Sequence, residues 1–468
     1  MKKIIALLTA LTMLLCAGCG AKGPAEKPDG APTAPDITTE KPSAADQSAD
    51  KTEGIQADHL AFQAEYPEGV PYPVEYDGDG DYEKWRASKE ANRNYSAKKA
   101  EGVADFAADI TREMLKQADG ENRICSPLNI YMALAMLAEI TDGDTRAQIL
   151  DVLGTKNTDT LRRQAKELWE ANYTDDGTCT SVLADSVWLS NSMKYKSDTL
   201  KTLAENYYAS SFTGEMGSED YNNALRNWLN EQTGGLLKDS VGGVGLDPST
   251  VIALASTVYF NARWSDEFSA GMNTRETFHA DGRDVECEFM HQEITSGYYS
   301  GKGFSAVNKN LINAEKMRLI LPDEGVSVDE LLCSDDFLTY LTRGAAGEDI
   351  SYGRVELSVP KFDVTSDTDL QPVLENMGIT DVFDYKSSDF SPLTDERDDL
   401  FVGSARHSAR VLIDEEGCTA AAFTVFMAKA TGMLPDEVIE FDLDRPFIFV
   451  IDGADGLPLF AGVVNDPA

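Results

Sequence analysis

The chain has 468 residues, 42% of them apolar, so it can bury a sizeable core and is not a disordered protein. Lys plus Arg total 41 against 80 Asp plus Glu, a formal charge of -39, and a field of that sign repels nucleic-acid phosphates and anionic lipid surfaces. Mean hydropathy is -0.31, and after residue 20 no apolar run approaches the roughly 20 residues needed to cross a bilayer.

At the N-terminus Lys2 and Lys3 precede the apolar run from Ile4 to Leu15, and the small pair Ala17-Gly18 stands before Cys19. A charged region, an apolar stretch and small residues at a cleavage site mark a secretory signal. The run resembles a bacterial lipoprotein signal, with Cys16 where Leu is usual. That resemblance implies removal of residues 1–18, acylation of Cys19, and an extracytoplasmic, surface-exposed protein held to the cell membrane by lipid alone. The alternative, a redox C-x-x-C from Cys16 to Cys19, needs a folded helix start to depress its thiol pKa, which a signal peptide lacks. Residues 19–95 read as a tether: positions 20 to about 76 are rich in Ala, Pro, Asp, Thr and Ser and hold eight of the 18 prolines. Aromatics from Phe62 to Tyr95, among them Tyr66, Tyr72 and Trp85, predict that its end packs on the body. Asp77, Asp79 and Asp81 are spaced as in a calcium loop, but Tyr82 stands where Gly is needed and Ser88 where a bidentate Glu should close the shell. A solvated acidic turn is the better reading.

Cys19 to Ala100 carry 16 acids and 10 bases, which leaves 64 acids and 29 bases on residues 101–468. The acidity therefore belongs to the body, where it either steers a basic protein partner or simply solvates the surface. There, Val103, Phe106, Ala107, Ile110, Met114 and Leu115 predict an amphipathic helix. Ser126 can cap a second helix with Pro127 in its first turn, and Ile130 to Ile140 is apolar nearly all round, which predicts burial. Thr145 and Gln148 read as a capping box, with Gly154 as the stop. Val182 to Leu189, Val251 to Phe260, Val355 to Val364 and Phe447 to Ile451 read as strands. Helices come mainly early and strands mainly late, so residues 96–468 are expected to form one large α+β domain, with two domains as the alternative.

Catalytic signatures are absent: the chain contains no G-x-S-x-G, H-E-x-x-H or G-x-G-x-x-G. Gly297 to Gly303 has one residue too few between its glycines for a P-loop, and Gly303 stands where Ser or Thr must meet magnesium. Four histidines (His59, His279, His291, His407) offer few general bases. Past Cys19, the cysteines Cys125, Cys179, Cys287, Cys333 and Cys418 are odd in number and widely spaced, so they read as small apolar residues. No enzyme, metal or cofactor is expected.

The informative stretch follows Val411. Asp414-Glu-Glu416-Gly417 leads into eleven uncharged residues, Cys418 to Ala428, before Lys429. At period two one face is Cys418, Ala420, Ala422 and Thr424, all small, and the other is Thr419, Ala421, Phe423 and Val425. Such a strand can slide between paired strands, and Gly417 supplies a hinge free of Cβ restriction. An ordinary core strand is the alternative, though alanines are poor strand formers.

Asp414 to Gly417 with the small residues after it resembles the proximal hinge of an inhibitory serpin. Asn122 to Ile130 with Ala133-Leu-Ala-Met-Leu resembles that family's buried second helix, and Val258 to Trp264 its strand ending in the breach tryptophan. Asn227-Trp228 with Thr233 and Gly235, Leu319 to Gly325, Val359-Pro-Lys-Phe362, and Arg445 to Phe449 through Pro458 to Pro467 match in order. The resemblance implies the serpin fold: one large domain, helices packed on a central sheet, further sheets, and an exposed reactive-centre loop at about 415–440. It implies a metastable monomer that acts as a suicide substrate: an extracellular serine protease, or a cysteine protease, cuts the loop, which then inserts into the sheet and traps the acyl-enzyme. The hinge and inserting residues are then Glu416, Gly417, Cys418, Ala420, Ala421, Ala422 and Thr424. Counting fifteen from Gly417 puts the scissile bond at Thr431-Gly432, with Ala430 or Met433 before the cut as alternatives; small or medium residues there suit elastase-like or subtilisin-like enzymes, and Lys429 a trypsin-like one if the cut falls two residues early. The shutter and breach positions fall on Ser126, Asn129, Ser256, Trp264 and His407, with Asn129 and Ser256 replacing the usual serine and asparagine. Thr419 and Phe423 also depart from the family pattern. A non-inhibitory serpin acting as carrier or binding protein is the alternative.

Overall fold

The computed structural model describes residues 59–73, 80–94, 102–116, 118, 120–236, 241–312, 316–345, 350–397, 399–418, 438–454 and 456–468. Cys19, Asp77, Asp79, and Ala420, Ala421, Ala422, Thr424, Thr431 and Gly432 lie outside the described residues. In chain order the elements begin with β1 (Leu60–Phe62), α1 (Gly80–Asn94), α2 (Val103–Leu115), β2 (Arg123–Cys125), α3 (Pro127–Ile140), α4 (Gly143–Val152) and α5 (Thr158–Asn172). There follow β3 (Thr174–Asp175), β4 (Cys179–Ser190), α6 (Ser197–Asn206), β5 (Ala209–Gly214), α7 (Glu219–Gln232), β6 (Ile252–Arg263), β7 (Thr274–Ala280), β8 (Arg283–Ser300), β9 (Phe304–Asn310) and β10 (Lys316–Pro322). The last part holds α8 (Val328–Leu332), α9 (Asp335–Arg343), β11 (Ile350–Pro360), β12 (Phe362–Asp369), α10 (Gln371–Asn376), β13 (Val402–Ile413), β14 (Gly417–Cys418), β15 (Val438–Asp442), β16 (Phe447–Asp452) and β17 (Pro458–Val464).

Two large sheets organise these elements. The central one runs β1-β5-β4-β6-β14-β13-β12, and the other β15-β11-β8-β9-β10-β16-β17-β2. The helix predicted to be buried is α3: every residue but Glu139 is shielded, because it lies between the two sheets against β4, β6 and β17. Ser126 caps it, accepting the Asn129 backbone N–H at 3.4 Å.

Two local expectations need correction. Thr145 and Gln148 form no capping box, because α4 begins two residues earlier at Gly143; their side chains instead bond the 380–389 segment, Gln148 accepting the Thr380 and Asp381 N–H groups. The strand expected over Val355–Val364 is two strands meeting at Lys361, which divides its neighbours between the sheets. Among the described cysteines, Cys333 is exposed and Cys125, Cys179, Cys287 and Cys418 are buried.

The aromatic end of the N-terminal segment packs on the body. β1 adds an edge strand beside β5, and Tyr66 packs in tilted contact with Trp169, Tyr173 and Tyr208. Trp85 donates to Asp176 at 3.0 Å, and Lys89 pairs with the same buried carboxylate at 2.9 Å.

Candidate functional site

The site is the seam between β6 and β13, the only parallel-paired neighbours in the middle of the central sheet among the described residues. Their pairing runs from Ile252 with Val402 to Thr257 with Ser408 and then stops. Above it β14 is wedged in: Gly417 pairs with Arg263, and Cys418 with both Ala262 and Ile413. Val258 to Asn261 and Ala409 to Leu412 therefore have no partner across the seam among the described residues. Gly417 and Cys418 thus form two rungs between β6 and β13 at the far end of their direct pairing.

Seating depends on glycine. A Cβ on Gly417 would stand 2.4 Å from the Ala262 carbonyl oxygen, closer than any side chain tolerates. The turn before it is closed by Asp414, whose carboxylate accepts the Glu416 and Gly417 N–H groups at 2.9 and 3.1 Å. Trp264 holds the same turn from the side, its indole N–H donating to the Asp414 carbonyl at 2.9 Å and its backbone N–H to the Glu416 carbonyl at 3.0 Å. Phe268 N–H bonds the Glu415 carbonyl at 3.0 Å.

A charged clamp completes this end. Lys361 reaches Glu415 at 2.6 Å and Glu288 at 3.0 Å, and the Asn273 amide bridges both carboxylates at 2.6 Å each. Burial pushes the Glu415 carboxyl up, but Lys361 and Asn273 with backbone bonding outweigh it and hold it below the ordinary range. Glu416 faces Arg263 at 3.9 Å. Its contribution is small at that distance and exposure.

Midway along the seam lies a buried polar row. Asp185, Ser256 and His407 are direct neighbours across β4, β6 and β13 and so share one face of the sheet, the one covered by the first turn of α3. That turn grips both sides: Ser126 N–H donates to His407 Nε2 at 3.0 Å, and the Asn129 amide donates to the Ser256 hydroxyl at 2.5 Å. Asn129 and Ser256, expected to replace a serine and an asparagine, thus bond to each other. His407 is fully buried, and burial pushes its imidazole down to about 4, with the Asp367 carboxylate pulling weakly the other way. It is neutral at physiological pH.

Ser126, Asn129, Ser256 and His407 are brought together, and Trp264 with Glu416, Gly417 and Cys418 forms a second cluster at the top of the same seam. Sequence reasoning assigned no role to Asp185, Asn273 or Lys361. Lys361 sat in a quoted motif, Val359-Pro-Lys-Phe362, but only folding sets it against Glu415, 54 residues on. Asp185 carried no signal beyond being an acid inside an apolar strand.

A family model described as serpin (serine protease inhibitor) matches residues 101–467. Among curated proteins the chain is 28% identical over 377 residues to an alpha-1-antitrypsin-like protein of Ictidomys tridecemlineatus, covering 79% of this chain and 88% of that one. It is 27% identical over 402 residues to plasminogen activator inhibitor 1 of Sus scrofa, covering 81% and 96%. Among solved structures, the native state of the thermophilic serpin tengpin aligns with a TM-score of 0.70 at 24% identity, over 87% of this chain and all of that one. Thyroxine-binding globulin in complex with thyroxine aligns at 0.68 and 23%, over 80% and 100%. With the family model matching most of the chain, the chain belongs to the serpin family, whose members are mostly protease inhibitors rather than enzymes.

Proposed function

We propose that this chain is a suicide inhibitor of extracellular serine proteases, cut in the segment after Cys418 and completing the strand that β14 begins. The observation that carries this is the seated hinge above an unpaired gap: Gly417 opposite Arg263 and Cys418 opposite Ala262, with four residue pairs below them unjoined among the described residues. Continued in that antiparallel register, Thr424 reaches Ser256 and Ala428 reaches Ile252, where β6 ends. About ten further residues then gain ladder bonds, and at ~1 kcal/mol each on the order of 10 kcal/mol is released, comparable with the whole stability of an ordinary domain. Serpin loop insertion is an established case of strand addition. Thr431-Gly432 falls three residues beyond the strand's end, where a cut frees the whole inserting segment. The small or medium residues Ala430, Thr431 and Met433 suit elastase-like or subtilisin-like proteases.

Cys19 is the lipid attachment, and the protein is a membrane-tethered, surface-exposed monomer. His59 lies beside Thr213 at the end of β5 far from Gly417, roughly 35 Å away along β4. The test is incubation of the mature chain with an elastase-like protease: an SDS-stable adduct is expected, with the released peptide beginning at Gly432. Clean cleavage without adduct overturns trapping and favours a carrier role.

A further inference from the structure

The segment Trp264 to Phe268 serves the hinge with two backbone N–H groups, Trp264 bonding the Glu416 carbonyl and Phe268 the Glu415 carbonyl, both at 3.0 Å. Two of its own carbonyls are taken up by side chains from the other sheet. Lys309, the last buried residue of β9, donates from its ammonium to the Asp266 carbonyl at 2.6 Å, and Gln292 on β8 donates to the Glu267 carbonyl at 3.1 Å. The Gln292 side-chain oxygen accepts from the same ammonium, so the two supports are joined.

A lysine is a demanding choice for this place. It is 2% exposed and its partner in β10 is the fully buried Met317. A buried ammonium is costly unless its three donors find acceptors. Besides the two oxygens, it lies 4.4 Å from the centre of the Phe268 ring and 5.6 Å from that of Trp264, within the range at which a ring face attracts a cation. These are the two residues whose N–H groups hold the hinge, and the Trp264 indole adds its bond to the Asp414 carbonyl. One cation therefore touches both the backbone and the two rings of the grip.

We propose that Lys309 is a positioning residue for strand entry: its ammonium braces the 264–268 turn and keeps that turn's N–H groups on the hinge carbonyls, so that β14 stays paired with β6. The brace acts through charge and donors rather than through volume. It needs no protease, whereas its part in strand entry rests on the trapping function proposed above.

Two variants of the full mature chain separate charge from volume. Lys309→Met keeps the length and flexibility of the side chain without the charge, and an apolar group in place of a buried charge need not lower overall stability. Lys309→Arg keeps a cation that donates and stacks on rings. Backbone hydrogen exchange is followed by mass spectrometry on peptides covering 264–268 and 414–417, with α3 as the internal reference. Lys309→Met is expected to exchange about tenfold faster in both peptides, the scale of a desolvated cation–ring contact, with α3 unchanged and Lys309→Arg closer to wild type. Wild-type exchange in Lys309→Met overturns the brace. So does equal acceleration of α3, or an Arg variant looser than the Met variant, because either result marks a packing role. Should Lys309→Met fail to fold, Gln292→Leu, which removes the joined support, is read in the same way. The variants are then treated with the elastase-like protease, and the ratio of SDS-stable adduct to cleaved chain is expected to fall several-fold in Lys309→Met. A loosened turn with an undiminished ratio overturns the part in strand entry. Absence of adduct from wild type overturns the trapping function instead, and the exchange result still decides the brace.

Discussion

The two ends of the described seam are held by opposite chemistry. At the top, the hinge turn is gripped by Trp264, Asp414 and the Lys361–Glu415–Glu288–Asn273 clamp, with charged groups partly exposed and paired. At mid-seam the groups are buried and short of partners: among the described residues His407 Nδ1, Asn129 Oδ1 and both Asp185 oxygens complete no hydrogen bond. Water can replace the ion pairs of the top, whereas the polar atoms of the middle are sealed from it.

Four experiments break or sharpen that contrast, in order of expected size. Nicking the chain near Thr431 should raise Tm by ~10–15 °C, the size expected when ~10 kcal/mol is released in a domain of this length; an unchanged melt in calorimetry would sink the idea that the seam is a vacancy. Gly417→Val places a branched side chain against the Ala262 carbonyl and should unseat β14. Its adduct yield with protease should drop about tenfold or more, equivalent to at least ~1.4 kcal/mol on the insertion step, while the cut itself remains as fast.

Acid should loosen the middle before the top. His407 is held at about 4 against an ordinary 6.5, so it takes up its proton less readily folded than unfolded. The stability it contributes is complete above pH 6.5 and is lost as pH falls from there through 4, by a few kcal/mol at most. Denaturant titrations of wild type and His407→Gln should diverge over that window and run parallel above it. Smallest is Lys361→Ala, which leaves Glu415 with Asn273 alone; the pair is partly exposed, so about 1 kcal/mol is expected. A larger loss in the same denaturant assay would mean that the top, not the middle, keeps the sheet shut.

Much of this was legible before folding. The apolar run of α3, its Ser126 cap and the glycine before a stripe of small residues are local signals, and local signals survive in one dimension. The capping box at Thr145 misled because the same residue types that cap helices also bond distant backbone, and the 380–389 segment competed successfully. The true box, Ser327 with Glu330, obeys the same rule in a five-residue helix. Asp185 and Lys361 were silent because their meaning lies in partners far along the chain, brought near by strand register alone.

The amino-acid order by itself determined the family, the position of the hinge and the absence of an enzyme's catalytic signatures, since each rests on residue type and spacing. Only the tertiary structure decided that Gly417 and Cys418 pair with β6, that β6 and β13 share no pairing from Val258 to Asn261 among the described residues, and that one helical turn grips both sides of the seam. Those facts depend on which strand lies beside which, and pairing between residues more than 100 apart is settled by the packing of the whole sheet rather than by any local preference.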